Sequence, residues 1–471
     1  MPLALLPWPV DVDIRPGALR LDISAPHHAL SLARYDVIDG PPEGYRLDIA
    51  DEGIRIEAAS AAGRFYAQRT LLQLIARDDE GFFVPHVAIT DAPRFEYRGI
   101  MLDVARHFHS VDTIERLVER AADLKFNVLH LHLTDDQAWR LALECRPELA
   151  DRGSSSSVGG DPGGHFTRDD VQRIVAHAAA HHMIVVPEID VPGHTHAVSL
   201  SHPELTADPV LAPSVLEVVE EFGGGLPRTG EPYTGFAVGF SSLDARAPGL
   251  EEVLREVFAE VARLFPGPYL HVGGDEALGT ARSDYRAIVD MAVRAVIATG
   301  RTPAAWHEAG AADLPADAVF QYWGFLTPST EHAELARRAL ERGGRFVLSP
   351  ADAIYLDMKY DADTRAGLSW ANGPTSVRRS YEWDPVGVLE VPEERILGVE
   401  AALWTETIAD EATLEHMVFP RIASAAEAAW SRPLGSAERN WESFRARIAG
   451  LGLLWERAGI RFARGTEIPW R

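Results

Sequence analysis

Two carboxylates stand side by side behind a glycine pair in His271-Val-Gly-Gly-Asp275-Glu276, directly after the apolar Pro268-Tyr-Leu270. A buried strand that ends in Gly-Gly can twist freely at its exit, so both acids can turn toward the mouth of a pocket. Adjacent carboxylates oppose each other's ionisation: one tends to keep its proton while the other stays charged. That division suits acid catalysis beside a stabilising anion. The same string can also be read as an acidic pair capping the start of a helix. What the other strands deliver to the same end decides between the two.

A scaffold able to hold such a pair is visible from Phe95 onward, where strand, loop and helix repeat. Eight apolar stretches read as strands: 98–104, 127–133, 183–189, 269–272, 302–305, 318–322, 345–348 and 396–403. Asp112-Thr-Ile-Glu115 and Thr167-Arg-Asp-Asp170 resemble capping boxes. The first opens an apolar stripe of Ile114, Leu117, Val118 and Ala121, the second one of Val171, Ile174, Val175 and Ala178. Leu250, Val253, Leu254, Val257 and Val261 form a further helical face just before the Asp-Glu strand. Eight β-then-α units predict an α/β fold, a (β/α)8 TIM barrel over 96–471 that ends in C-terminal helices. A doubly wound open sheet is the alternative, but no Gly-rich nucleotide loop accompanies the strands.

Residues 1–95 read as a small α/β N-terminal domain. Tyr45-Arg-Leu-Asp-Ile and Gly53-Ile-Arg-Ile-Glu alternate like a hairpin, a helix follows over 65–75, and 85–93 is the expected passage to the barrel. The low-complexity run 154–164 reads as a flexible surface connection, not a substrate lid. From about Asp410 two helices around Trp430-Ser-Arg-Pro433 are expected to close the barrel.

Composition sets outer bounds. With 471 residues and 46% hydrophobic content the chain can bury a large core. A net charge of −25 argues against nucleic acid or an anionic membrane as partner. Only Lys125 and Lys359 are lysines, a bias that matches the many alanines. Cys145 is the sole cysteine, so neither a disulfide framework nor a thiolate metal cluster is available. The amino terminus lacks a basic region and is interrupted by prolines, and no apolar run reaches membrane-spanning length. As given, the chain is expected to be cytoplasmic, or secreted if a leader was removed.

Active sites of TIM barrels gather where the strands end. Those positions hold Arg106, then Asp135-Asp136, then Asp190 with His194, then Asp275-Glu276. They continue with Trp306, Trp323, Tyr355 with Asp357, and Trp404 with Glu406. Flat aromatic faces suit the C–H surfaces of a sugar and charged groups suit its hydroxyls. The expected ligand is a carbohydrate.

The motifs are similar to those of family 20 glycoside hydrolases, the β-N-acetylhexosaminidases. The matching segments are Arg98-Gly-Ile-Met-Leu-Asp-Val-Ala-Arg-His107, His130-Leu-His-Leu-Thr-Asp-Asp-Gln137, Val186-Pro-Glu-Ile-Asp-Val-Pro-Gly-His194, His271-Val-Gly-Gly-Asp-Glu276 and Leu403-Trp-Thr-Glu406. The small first domain also resembles the one that usually precedes this barrel. Departures are His107-Phe-His109 and an unusual stretch at 215–233, which bears on loop shape and aglycone preference.

The resemblance implies Glu276 as general acid and base, and Asp275 as holder of the substrate's own 2-acetamido group, the nucleophile of a retaining, oxazolinium mechanism. It implies Tyr355 on the acetamido carbonyl, and Trp306, Trp323 and Trp404 around its methyl. Arg106, Glu406 and Asp357 would bind hydroxyls at the non-reducing end, which predicts exo action. Asp135, Asp190 and His194 would tune Glu276. The expected substrate is an oligosaccharide or glycoconjugate ending in N-acetyl-glucosamine or -galactosamine, with no cofactor and no metal.

Three other readings compete. The i, i+2 pairs His107/His109, His130/His132 and His194/His196 could chelate zinc. If the second barrel strand keeps its alternation, however, His130 and His132 point away from Asp135, toward the helices, as hydrogen-bonded core residues. A catalytically dead sugar-binding barrel is opposed by the presence of both Asp275 and Glu276. A glycosidase with its own carboxylate nucleophile could use Glu188, Asp357 or Glu406.

Overall fold

The computed structural model describes residues 3–470. Met1 and Pro2, the head of the proline-interrupted terminus, lie outside the described residues, as does Arg471. The first sheet contains β1 (Asp11–Leu21), β2 (Ala33–Val37), β3 (Tyr45–Ala50), β4 (Gly53–Ala58), β5 (Ala76–Asp78) and β6 (Gly81–Asp91). Its order is β1-β6-β3-β4-β2, with β5 on β6. Tyr45, Leu47 and Ile49 of β3 and Ile54 and Ile56 of β4 turn to one face, as the alternation predicts. That face packs on Tyr66, Leu71 and Leu74 of the helix Ala61–Leu74, whose start is capped by the Ser60 hydroxyl accepting from the Gly63 N–H.

Residues 85–93 are not a linker. Most of them belong to β6, which lies between β1 and β3, and the prolines mislead because Pro85 sits beside the irregularity at Ile14/Ala18 where the β1 register shifts. A missing N–H is tolerated at such a break.

Eight parallel strands close the barrel: β7 (Tyr97–Asp103), β8 (Val128–His132), β9 (Ile184–Glu188), β10 (Tyr269–His271), β11 (Thr302–Trp306), β12 (Val319–Tyr322), β13 (Arg345–Leu348) and β14 (Ile396–Leu403). They are the eight read from the sequence. The interior fills in layers. The lowest is apolar: Tyr97, Val128, Val186, Ala304, Val319, Val347 and Leu397 cluster together. Two residues further along the strands comes a polar layer of His130, Glu188, His271, Trp306 and Gln321, all buried. Leu129, Leu131 and Leu133 take the opposite parity and pack under the helices. His130 and His132 therefore point into the barrel, opposite to the orientation expected from Asp135, although they are hydrogen-bonded core residues as anticipated.

Other local expectations divide. Thr167 and Asp170 form the reciprocal capping box. The Asp112 box does not form, because Ser110 caps the helix Val111–Asp123 and Asp112 lies in its first turn. The run 154–164 is not a free connection: it wraps the buried guanidinium of Arg140, which donates to the carbonyls of Ser154, Ser156 and Gly164 and to the Ser157 hydroxyl. Three helices follow Asp410, not two: Glu411–Val418, Ile422–Trp430 and Trp441–Arg457. Pro420, without an N–H, separates the first from the second.

The first sheet meets the barrel at a buried ion pair. Asp91 of β6 accepts from Lys125 Nζ at 2.8 Å and from the Trp430 indole at 2.9 Å. No helix among the described residues is long and apolar enough to cross a membrane.

Candidate active site

The loop after β10 has the conformation that its glycines require. Gly273 has φ 68° and Gly274 φ 103°. A Cβ at Gly273 would collide with the Asp190 carboxylate, while the Gly274 N–H donates to Asp190 Oδ1 at 2.9 Å. Glu276 itself is left-handed at φ 42°, as is His194 at φ 54°. Such backbone is sparsely populated for residues with a Cβ and persists where the surroundings over-determine it, which is frequent at functional sites. The helix-cap reading of Asp275-Glu276 fails, because the next helix begins only at Arg282, with Ala281 at its cap.

His194 joins the pair to the barrel interior. Its Nε2 lies 3.7 Å from Asp275 Oδ2 and 3.6 Å from Glu276 Oε2, and its Nδ1 bonds Asp135 Oδ1 at 3.1 Å. The other Asp135 oxygen meets Arg106 Nη2 at 2.7 Å and His132 Nε2 at 2.8 Å. His132 Nδ1 in turn contacts Glu188 at 2.6 Å. Glu188 also receives the Trp306 indole at 2.7 Å and lies 2.9 Å from His271 Nδ1. A chain of buried, mutually bonded groups thus runs from the polar layer up to His194, whose free Nε2 faces Asp275 and Glu276. Buried polar groups bonded in this way hold one geometry.

Charge follows from this arrangement. Burial pushes the Glu276 carboxyl up to about 7, with His194 opposing and Asp275 adding to the rise. Burial opposes a charged His194, but Asp135 and Asp275 prevail and hold it well above its ordinary value. Burial also tends to raise Asp135, yet Arg106 and His194 keep it below the usual carboxylate range. Asp190 is driven well above that range by burial and by Asp275. Glu276 therefore keeps its proton up to a higher pH than an ordinary carboxyl, beside an imidazole whose charged form its neighbours favour.

A cavity of about 880 Å³ opens at the strand ends. Of the residues expected there, Arg106, His194, Asp275, Glu276, Trp323, Tyr355, Asp357, Trp404 and Glu406 line it. Asp135 and Asp190 stand behind this lining. Trp306 sits a layer deeper than expected: it is fully buried, 5.8 Å from Trp404 between ring centres, so it backs the aromatic wall. The Arg106 guanidinium stacks 4.9 Å from the Trp404 ring centre. Both Asp357 oxygens are buried without a partner, available to hydroxyl donors.

Glu188, offered above as a possible nucleophile, is enclosed by its donors in the barrel interior and does not line the cavity. One ring nitrogen of each of four of these histidines contacts another group, His107 with Thr405, His109 with Ile408, His196 with Glu231 and His130 with Glu400, while His130 Nε2 and His132 Nδ1 both face Glu188 Oε2, at 3.2 and 2.6 Å.

The sequence reading missed several lining residues, among them Phe222, Phe236, Phe325, Lys359 and Trp370. All but Phe325 lie in long loops or at a helix end, where no strand-end rule points to them. Glu308 was missed as well. It accepts the Trp323 indole N–H at 2.9 Å, and burial with Asp275 nearby raises its carboxyl well above the ordinary range. Its place two residues after Trp306, at the end of β11, was the available signal.

A (β/α)8 barrel with paired carboxylates, one poised as an acid, in an aromatic-walled cavity defines a glycoside hydrolase. Known proteins narrow the class. The catalytic-domain model of glycosyl hydrolase family 20 matches residues 95–291 and 279–433, and the model of that family's domain 2 matches 6–92. A β-N-acetylhexosaminidase of Cellulomonas fimi is 38% identical over 91% of this chain and 82% of its own length. A solved glycoside hydrolase family 20 β-N-acetylglucosaminidase superposes with a TM-score of 0.94 at 47% identity, covering 100% of both chains. A mutant Streptomyces plicatus β-hexosaminidase in complex with its product, GlcNAc, gives a TM-score of 0.89 at 37% identity over 100% of this chain and 98% of that one. The N,N'-diacetylchitobiase of Vibrio harveyi is 28% identical over 82% of this chain, which spans 55% of that protein. The chain belongs to glycosyl hydrolase family 20. It is a glycoside hydrolase of the β-N-acetylhexosaminidase type.

Proposed function

We propose that the enzyme removes single N-acetyl-β-D-hexosamine residues from non-reducing ends, with retention, using the substrate's acetamido group as nucleophile. The observation that carries this reading is the arrangement around His194: its Nε2 lies 3.6 Å from Glu276 and 3.7 Å from Asp275, both in a cavity also walled by Trp323, Tyr355 and Trp404, where burial raises the Glu276 carboxyl to about 7. In the first step the acetamido oxygen attacks the anomeric carbon. The glycosidic C–O bond breaks, and Glu276 gives its proton to the departing oxygen. Asp275 accepts from the acetamido N–H and stabilises the positive charge of the oxazolinium. Tyr355 orients the carbonyl, and the aromatic wall encloses the methyl group and limits water. In the second step water adds to the anomeric carbon from the side the leaving group vacated, Glu276 takes the water's proton, and the oxazoline ring opens.

Arg106, Asp357 and Glu406 supply the hydroxyl contacts. Hydrogen bonds to charged groups are worth about 1.5–3 kcal/mol each, so they fix one terminal sugar firmly. Oligomers of N-acetylglucosamine offer such a terminal sugar, in keeping with the N,N'-diacetylchitobiase of Vibrio harveyi. Product analysis on a chitin oligomer tests the exo assignment. Stepwise release of N-acetylglucosamine is expected from the earliest times, and internal cleavage to mixed oligomers would refute it.

A further inference from the structure

We propose that the cavity continues past the sugar onto an apolar shelf that favours glycosides with an alkyl or aryl leaving group. This rests on the hexosaminidase reading above. The helix Pro213–Phe222 supplies Val218 and Phe222, and the following segment supplies Phe236 and Val238; all four line the same cavity as Glu276. Phe222 stacks on Phe236 with ring centres 5.1 Å apart and planes 23° from parallel. These residues lie in the stretch that departs from the family pattern and its immediate continuation, and catalysis makes no use of them.

Their position identifies the occupant. The Gly279 N–H donates to the Gly239 carbonyl at 3.0 Å, and a Cβ on Gly239 would meet the Glu276 carbonyl oxygen at 3.2 Å. The segment carrying Phe236 and Val238 thus runs alongside the general acid. Glu276 protonates the leaving oxygen, so the group attached to that oxygen extends along this wall. Glu406 follows β14, four strands round the eight-stranded barrel from β10, so the hydroxyl grip lies on the opposite side.

The chemistry of the wall sets the class of leaving group. A second sugar can lay a C–H face on Phe222 or Phe236, but its hydroxyls need polar partners as well, and among the cavity-lining residues of this wall only Glu221 has a polar side chain, so an alkyl or aryl group gains more here. Phe222 is 45% exposed, and Leu278, whose side chain approaches Gly239 of the same segment, is 70% exposed. Contiguous apolar surface of this kind marks a binding face. Glu221, on a chain of net charge −25, also disfavours anionic leaving groups.

Methyl and hexyl β-N-acetylglucosaminides, which leave as alcohols of similar acidity, isolate this contact, with N,N'-diacetylchitobiose as the sugar comparison. For the unmodified enzyme the hexyl-to-methyl ratio of kcat/KM is expected to be about tenfold or more, the effect of covering two or three methylenes, and to appear mainly in KM. Phe222→Ser and Phe236→Ser should bring the ratio toward one, while Phe222→Leu, which keeps an apolar surface, should retain most of it. Equal rates on the two alkyl glycosides in the unmodified enzyme would overturn the shelf. So would a preference for the disaccharide over the hexyl glycoside that Phe222→Ser abolishes. Failure to hydrolyse any of the three would instead contradict the hexosaminidase reading itself.

Discussion

Glu276→Gln is expected to lower kcat/KM by about 10²–10⁴ on alkyl and chitin-type glycosides, the usual contribution of a general acid. Aryl glycosides with an acidic phenol need little protonation, so on them the same variant should lose far less. The pH profile gives a second signature. The acid works only while protonated, and burial holds its carboxyl at about 7. For the unmodified enzyme kcat/KM should therefore be sustained below that value and fall as pH rises through it. Glu276→Gln should remove this basic limb. Asp275→Asn should behave differently, slowing both substrate types, because it weakens formation of the intermediate itself. Steady-state kinetics across a series of leaving groups, repeated over pH, checks these statements, and identical responses from the two variants would contradict the assignment of roles.

Arg106→Ala is the second large effect expected. Two losses combine in it. The hydroxyl grip at the non-reducing end goes, and at about 1.5–3 kcal/mol for each charged hydrogen bond this alone costs at least tenfold in kcat/KM. The variant also strips a cation from two buried carboxylates: Arg106 Nη2 lies 2.7 Å from Asp135 and Nη1 lies 3.6 Å from Asp103. Breaking a buried pair from one side typically destabilises by about 3–5 kcal/mol. Asp135 would then rise toward neutrality and weaken its hold on His194. Arg106→Ala should thus show a lower denaturation midpoint together with a kcat loss. Arg106→Lys, a point charge without the fork, should restore stability better than substrate affinity. An Arg106→Ala enzyme with normal kcat/KM and normal stability would show that the guanidinium does neither job.

Much of this site was legible because strand ends in a closed parallel barrel converge, so reading the residues that follow each strand collected Arg106, His194, Asp275, Trp404 and Glu406. Where the reading failed, it carried a local rule beyond its element. The orientation of His130 and His132 was inferred by extending strand alternation to Asp135. The chain leaves β8 at His132 and turns, with the Asp135 N–H donating to the Ala138 carbonyl, so the period of two ends there. Asp135 folds back and meets His132 directly.

The 154–164 run failed for another reason. Serines and glycines report backbone freedom, and nothing in their order reveals that Arg140, fourteen residues upstream of Ser154, would gather their carbonyls. Phe222 and Phe236 escaped because their helix and loop lie far along the sequence from any strand end. Their meeting at the cavity mouth is a tertiary contact that a linear pattern does not encode.

The central claim is that the nucleophile belongs to the substrate, and one kinetic series tests it directly. Aryl β-N-acetylglucosaminides carrying zero, one, two or three fluorines on the acetyl methyl differ in almost nothing but the electron density of the carbonyl oxygen. If that oxygen attacks the anomeric carbon, kcat/KM should fall stepwise with each fluorine, by roughly 10² or more across the series, as expected when the nucleophile is progressively weakened. A flat series would mean that a carboxylate of the protein attacks instead, and would contradict the account.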